Sequence, residues 1–216
     1  AYGINCDLIV VCTKKTESTF AAYCNEVNSL GIKTTLVVAE KYGILTTAKK
    51  VNNYLREEKI NILHTHLFHA DLMAAVLKTF FNKNIRTIST RHGYQEKVLQ
   101  QYNPLNYKKP DDLYYHITKY ILRKIDIHIA VSKAMADLYF NLGISNTQFP
   151  YIHHGLTFPE FEKPTHGENF LNTNPLLITV GRIEIIKGHH FLIEALPAVL
   201  EVFPQTKLLV LGDGTE

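Results

Sequence analysis

Two cations in one short turn carry the strongest chemical signal in the chain. Arg182 and Lys187 sit five residues apart, flanked by Gly181 and Gly188. Arginine offers a planar fork of donors and lysine a compact charge, and both suit a diphosphate. Gly212-Asp213-Gly214 would let backbone N–H groups approach a ligand, although a plain turn explains the same residues. Histidine is the other reactive type. His64, His66 and His69 fall close together, His92 precedes Gly93, and His153-His154 and His189-His190 are paired. No cysteine or carboxylate completes a zinc spacing around them. Strand alternation puts His64 and His66 on one face and leaves His69 in a turn, so no metal is expected.

These residues need elements to position them. Leu176–Val180 is an apolar run of strand length, ended by Gly181. Phe191, Leu192, Ala195, Leu196, Val199, Leu200 and Phe203 then recur at the spacing of a helix, and Lys207–Leu211 reads as a further strand. Arg182 and Lys187 thus fall between a strand's carboxyl end and a helix's amino end. Open α/β sheets bind ligands there, and the helix end adds unpaired N–H groups and partial positive charge. Two solvated cations in an ordinary βα turn are the plainer alternative.

Upstream the same alternation repeats. The pattern predicts strands over residues 7–12, 34–39, 60–64, 85–89, 127–131 and 149–152. It predicts helices over 17–30, 46–58, 70–81, 113–124 and 132–142, the last capped by Ser132. Phe20, Tyr23, Cys24, Val27 and Leu30 should share one inward face. Ala48, Val51 and Leu55 should share another, and Leu113, Ile117, Tyr120, Ile121 and Lys124 are spaced along the helix over 113–124. Strands alternating with helices imply an α/β fold with a doubly wound parallel sheet. Residues 90–111 are polar and tyrosine-rich and read as a long loop or lid. Tyr94, Tyr102 and Tyr107, interleaved with Lys97, Lys108 and Lys109, suit an acceptor lid, a lipid-headgroup surface or an ordinary surface loop. Residues 157–175, with Pro159, Pro164 and Pro175, read as a linker between a domain over 1–156 and the opening of a second over 176–216.

Residues 1–156 carry 19 Lys+Arg against 12 Asp+Glu, and residues 157–216 carry 4 against 8. A basic first part fits peripheral contact with an anionic membrane surface, but the charge is too diffuse to indicate nucleic acid. No run of about 18 apolar residues exists and no signal peptide is visible. Cys6, Cys12 and Cys24 are odd in number and form no CxxC pair. Reduced thiols, a cytoplasmic setting and a buried Cys12 are expected.

Taken together, the motifs resemble glycosyltransferase family 4, the "group 1" set with the GT-B fold. Gly181-Arg182, a spacer, Lys187-Gly188 and Leu192-Ile193-Glu194-Ala195 look like the signature opening that family's C-terminal domain. Leu63-His64-Thr65-His66 is similar to its His-Thr-His, Arg91-His92-Gly93 to its His-Gly, and Ala130-Val131-Ser132-Lys133 to its Val-Ser turn. His153-His154-Gly155-Leu156 departs from the usual Asn-Gly-Ile/Val-Asp, with His154 for Asn and Thr157 for Asp.

The resemblance implies a retaining, metal-independent enzyme without cofactor. It would move a hexose-type sugar from a nucleotide-diphosphate donor to a glycan or lipid-linked acceptor, commonly in surface polysaccharide assembly. It implies that Arg182 and Lys187 hold the donor diphosphate, with Gly181, Gly188, Gly212 and Gly214 near the nucleotide. It implies that His92 lies by the transferred sugar, with His66, Ser132 and His154 as further cleft candidates. His66 could instead brace its strand end against Asp71. The family's Gly-Gly loop is expected before Ala1 and its paired glutamates after Glu216, so the chain reads as a piece of a longer protein, inactive alone. The rivals are a GT-B nucleotide-sugar epimerase and a non-catalytic GT-B fragment that binds a nucleotide or partner. A dehydrogenase is disfavoured because no GxGxxG follows a strand.

Overall fold

A computed structural model of the chain describes residues 6–39, 43–94, 111–155 and 175–214. The lid reading on residues 90–111 and the linker reading on residues 157–175 fall largely outside them. The chain divides into two compact units, Ala1–His154 and Gly155–Glu216.

The first unit runs β1 (Leu8–Thr13), α1 (Glu17–Ser29), β2 (Thr34–Ala39), α2 (Ile44–Glu57), β3 (Ile62–His66), α3 (Phe68–Phe80), β4 (Arg86–Arg91), α4 (Leu113–Lys124), β5 (Ile127–Ala130) and α5 (Lys133–Asn141). Every ladder is parallel, as alternating strands and helices require. The strands form two sheets, β1-β2 and β3-β4-β5, rather than one continuous sheet. One apolar core nevertheless serves both. Ile9 and Val37 join Leu63 in a cluster with Val51 and Leu55 of α2 and Ala74 and Leu77 of α3. The predicted inward face of α2 is the observed one.

Other expectations need correction, each for a physical reason. β3 and β4 continue to His66 and Arg91, past the expected ends at His64 and Ser89. The ladder pairs His66 with Thr90, so backbone bonding carries on through residues whose side chains are polar. The expected strand over 149–152 shrinks to a single bridge between Ala130 and Tyr151, held by Ala130 N to Pro150 O and Ile152 N to Ala130 O, each 2.9 Å. Pro150 has no N–H with which to extend it. α1 buries only Cys24 and Val27 and leaves Phe20, Tyr23 and Leu30 exposed. α4 turns Tyr115, Thr118 and Ile121 inward, while Leu113 and Tyr120 face out. Cys12 is buried, and Cys6, Cys12 and Cys24 are all free thiols.

A single residue, Leu67, turns the chain from β3 into α3. Its φ of 71° and ψ of 157° lie where glycine is normally found. Its side chain is 66% exposed, so burial does not offset the strain.

The second unit runs β6 (Leu176–Val180), a 3-10 turn over Ile185–Lys187, α6 (His189–Val202) and β7 (Lys207–Leu211). β6 and β7 pair in parallel, where the apolar runs predict. One face of the pair is half-buried. The other exposes Leu176, Ile178, Val180, Leu209 and Leu211. Among the described residues of both units, no helix is long and apolar enough to cross a membrane.

Candidate functional site

The first unit gathers histidines at the carboxyl ends of its parallel strands. Alternation along β3 sends His64 and His66 to one face, where their rings stack with centroids 4.7 Å apart. The β3–β4 register brings His92, just past β4, beside His66. His66 Nδ1 and His92 Nε2 lie 2.8 Å apart, a hydrogen bond. His154 follows the Tyr151 bridge and stacks on His92 with centroids 5.4 Å apart and planes tilted by 16°. The four rings thus form a row, His64, His66, His92, His154, each keeping an exposed edge. His64 Nε2 also bonds Thr90 Oγ1 at 2.8 Å. Ser132, the remaining cleft candidate, is used otherwise: its Oγ accepts from Met135 N at 3.2 Å and caps α5.

A buried ion pair lies behind the row. Arg91, the last residue of β4, places Nη1 2.7 Å from Asp71 Oδ2, with the two side chains only 4% and 1% exposed. Asp71 Oδ1 accepts from Thr65 Oγ1 at 2.5 Å. Asp71 is therefore braced by Thr65 and Arg91, not by His66 as the sequence allowed. Among the described residues, Arg91 Nε and Nη2 have no hydrogen-bond partner, and the guanidinium sits 5.7 Å from the Tyr139 ring. Tyr139 in turn donates to Gly93 O at 3.1 Å. His92 is thus anchored on both sides, through Arg91 before it and Gly93 after it.

Partial burial is the main influence on the row's titration. It holds His64, His66 and His92 below the ordinary histidine value, and neighbouring imidazoles add to this while Asp71 opposes it. Near neutral pH these rings are therefore uncharged. They act as hydrogen-bonding groups rather than fixed cations.

The second unit builds its site from the ends of β6 and β7. Parallel pairing persists beyond the strands, with Gly181 N bonding Leu211 O and Ile183 N bonding Asp213 O, each at 3.0 Å. Gly212 and Gly214 are thereby pressed against that backbone. A Cβ on Gly212 would lie 1.9 Å from Gly181 O, and one on Gly214 2.0 Å from Ile183 O. Close approach of the two chain segments explains both glycines. They border an open cleft of about 580 Å³ with Gly181, Arg182, Glu184 and Asp213.

Arg182 does not sit in the cleft unengaged. Its Nη1 donates to Glu184 Oε1 at 2.5 Å, while its carbonyl accepts from His189 Nε2 at 3.0 Å. The second bond ties the turn to the first residue of α6. Gly188 lets the chain enter that helix with a φ of 71°. Lys187 folds its stem toward Gly181, with Cδ 3.9 Å from where a Cβ there would stand. Arg182, Lys187 and the four glycines thus all belong to one turn-and-cleft arrangement. Glu184 is a neighbour of Arg182 that sequence reasoning missed, and the contacts of Asp71 with Arg91 and of His189 with the Arg182 carbonyl were missed with it. Only a charge at the buried end of a strand, as Arg91 stands at the end of β4, could have signalled any of them.

Among the described residues, no group of three or more His, Cys, Asp or Glu could hold a metal ion. In the row of histidines, the rings stack and bond to one another rather than converge on a point.

Comparison with known proteins supplies a context for both sites. Residues 4–157 match the family described as Glycosyltransferase Family 4. The chain is 26% identical over 186 residues to an uncharacterized glycosyltransferase of Methanocaldococcus jannaschii. That alignment takes in 80% of this chain but 44% of the relative, so the chain spans less than half its length. In architecture the chain resembles the crystal structure of a glycosyltransferase from Rickettsia africae. The TM-score is 0.55 at 14% identity, covering 96% of this chain and 69% of that one. At that identity the likeness concerns the fold.

Proposed function

The chain belongs to glycosyltransferase family 4, and from that premise we propose that its protein transfers a sugar, with retention, from a nucleotide-diphosphate donor to a glycan or lipid-linked acceptor. The observation that carries the donor side is the placing of Arg182 in an open cleft at the carboxyl ends of β6 and β7. When the anomeric C–O bond breaks, negative charge builds on the departing diphosphate. Preorganised donors aimed at that charge lower the barrier. Arg182 offers two N–H groups in one plane and Lys187 a mobile ammonium from the same turn. Gly212 and Gly214 keep the cleft wall free of side chains. The family resemblance assigns His92 to the transferred sugar, where a neutral imidazole would hydrogen-bond a hydroxyl without adding charge.

Turnover of the full-length enzyme tests this. A thermal-shift screen against UDP, GDP, ADP and their common sugars first finds the base, since a ligand of the folded state raises the melting point. Arg182→Ala and Lys187→Ala should each then lower kcat about ten- to a hundredfold, because a charge-assisted hydrogen bond is worth roughly 1.5–3 kcal/mol. Unchanged turnover in both variants would remove the diphosphate role. A nucleotide sugar consumed without any glycosylated product would favour the epimerase chemistry instead.

A further inference from the structure

We propose that His66 and His92 act as one unit around a single shared proton, with His66 the positioning residue that sets the ring angle and proton of His92. The inference rests on the placing of His92 at the transfer site. Its warrant is the 2.8 Å contact between His66 Nδ1 and His92 Nε2. A hydrogen bond between two imidazole nitrogens needs one N–H and one lone pair. In the neutral pair, one proton therefore lies between the rings, and each ring keeps one outward nitrogen.

The two outward nitrogens are complementary. If the bridging proton belongs to His66, then His92 Nδ1 is a donor and His66 Nε2 an acceptor. If it belongs to His92, the roles reverse. Either way the pair presents one donor and one acceptor, the combination that a saccharide's hydroxyls can both satisfy. The stacking of His64 on His66 and of His154 on His92 holds both ring planes. One added proton leaves the bridging bond intact. A second removes the last lone pair between the rings and breaks it.

The surrounding charges act in known directions. His64 on β3 opposes proton uptake by His66, His154 beyond the Tyr151 bridge opposes it at both rings, and Asp71 on α3 favours it. Partial burial, the largest influence, lowers both members of the pair. The neutral form is then the working form at neutral pH, and acid disables it.

The test uses the full-length enzyme with ¹⁵N-labelled histidine. Long-range ¹H–¹⁵N spectra across a pH titration read the proton on each ring nitrogen, with His66→Phe and His92→Phe as assignment variants. The expected result is opposite tautomers on the facing nitrogens, coupled titration, and an upward move of the His92 midpoint when His66 is lost. Kinetics give the second reading. His66→Asn, whose amide can stand in for Nδ1 but offers no outward nitrogen, should recover part of the kcat that a ring without nitrogen loses. His66→Phe, which keeps a ring over His64 but no nitrogen, should lower kcat about ten- to a hundredfold. Its donor KM should hold, and its acid limb should move to higher pH. Melting curves of both variants check folding. Independent titration of the two rings overturns the pair even in an active enzyme. A His66→Phe enzyme with wild-type kcat and acid limb overturns the positioning role. Coupled titration in an enzyme that transfers no sugar overturns the glycosyltransferase reading, while the pair itself stands.

Discussion

Replacing Asp71 with Asn removes one partner of the most buried ion pair among the described residues. The pair is held mainly by charge, since Oδ2 and Nη1 approach to 2.7 Å but two of the guanidinium nitrogens have no hydrogen bond. With Arg91 only 4% exposed, water cannot replace the lost carboxylate. Breaking a buried pair from one side costs about 3–5 kcal/mol, because it leaves an uncompensated charge. For a protein of this size, 1 kcal/mol corresponds to about 2–4 °C in Tm, so Asp71→Asn should lower it by about 6–20 °C. The double variant Asp71→Leu with Arg91→Met removes both charges and roughly keeps the volume. Such exchanges are often neutral or stabilising, so the double should lie within about 2 kcal/mol of wild type. Differential scanning calorimetry of wild type, Asp71→Leu, Arg91→Met and the double closes the cycle. A single-variant loss below about 1 kcal/mol would refute the reasoning, as would a double that costs the sum of the singles.

Three further outcomes follow from the geometry. Gly212→Ala and Gly214→Ala should each destabilise by about 3 kcal/mol and abolish nucleotide binding. Gly181→Ala, whose Cβ meets nothing closer than 3.9 Å, should leave the melting curve unchanged. His128 is held to about 4 by burial, against the bond from its Nε2 to Leu122 O, so the unfolded chain binds more protons between pH 6.5 and 4. Stability that is full above pH 6.5 should therefore fall by about 3 kcal/mol as pH drops toward 4, and His128→Gln should flatten that slope in pH-dependent melts. Glu184→Gln frees the Arg182 guanidinium from an exposed ion pair worth at most about 1 kcal/mol, so calorimetric nucleotide affinity should rise up to about fivefold. A drop in affinity would mean that Glu184 itself contacts the ligand.

Where side-chain chemistry and backbone pairing agree, the elements were legible before any coordinates. Thr34–Ala39, Leu113–Lys124, Leu176–Val180 and Lys207–Leu211 fall at their predicted limits. They are bounded by turn residues and carry unmixed patterns. The ends of β3 and β4 are hidden because His66, Thr90 and Arg91 look like loop, although their backbones complete a ladder. The inward side of α4 is not legible in the sequence because Tyr115 and Thr118 are buried while Leu113 is not, a choice made by neighbours rather than by hydropathy. The turn carrying Arg182 and Lys187 was legible because all its parts lie within one short stretch. The bond between His66 and His92 was not. It joins residues on separate strands, and it depends on the parallel register of His66 with Thr90. The Asp71–Arg91 pair was hidden for the same reason.

Leu67 gives the row of histidines a cost of another kind. It holds a backbone conformation that penalises any residue with a Cβ by about 1–3 kcal/mol, one position after His66. Glycine would relieve that strain but would also give the unfolded chain more freedom, so the net change in stability would be small. What would change is tolerance. A leucine confined to this corner has little room to rotate, while glycine could swing through a wide range of angles. The corner therefore reads as a trade between economy of folding and constancy of aim, in which the chain carries a permanently tensed joint to keep one imidazole facing another.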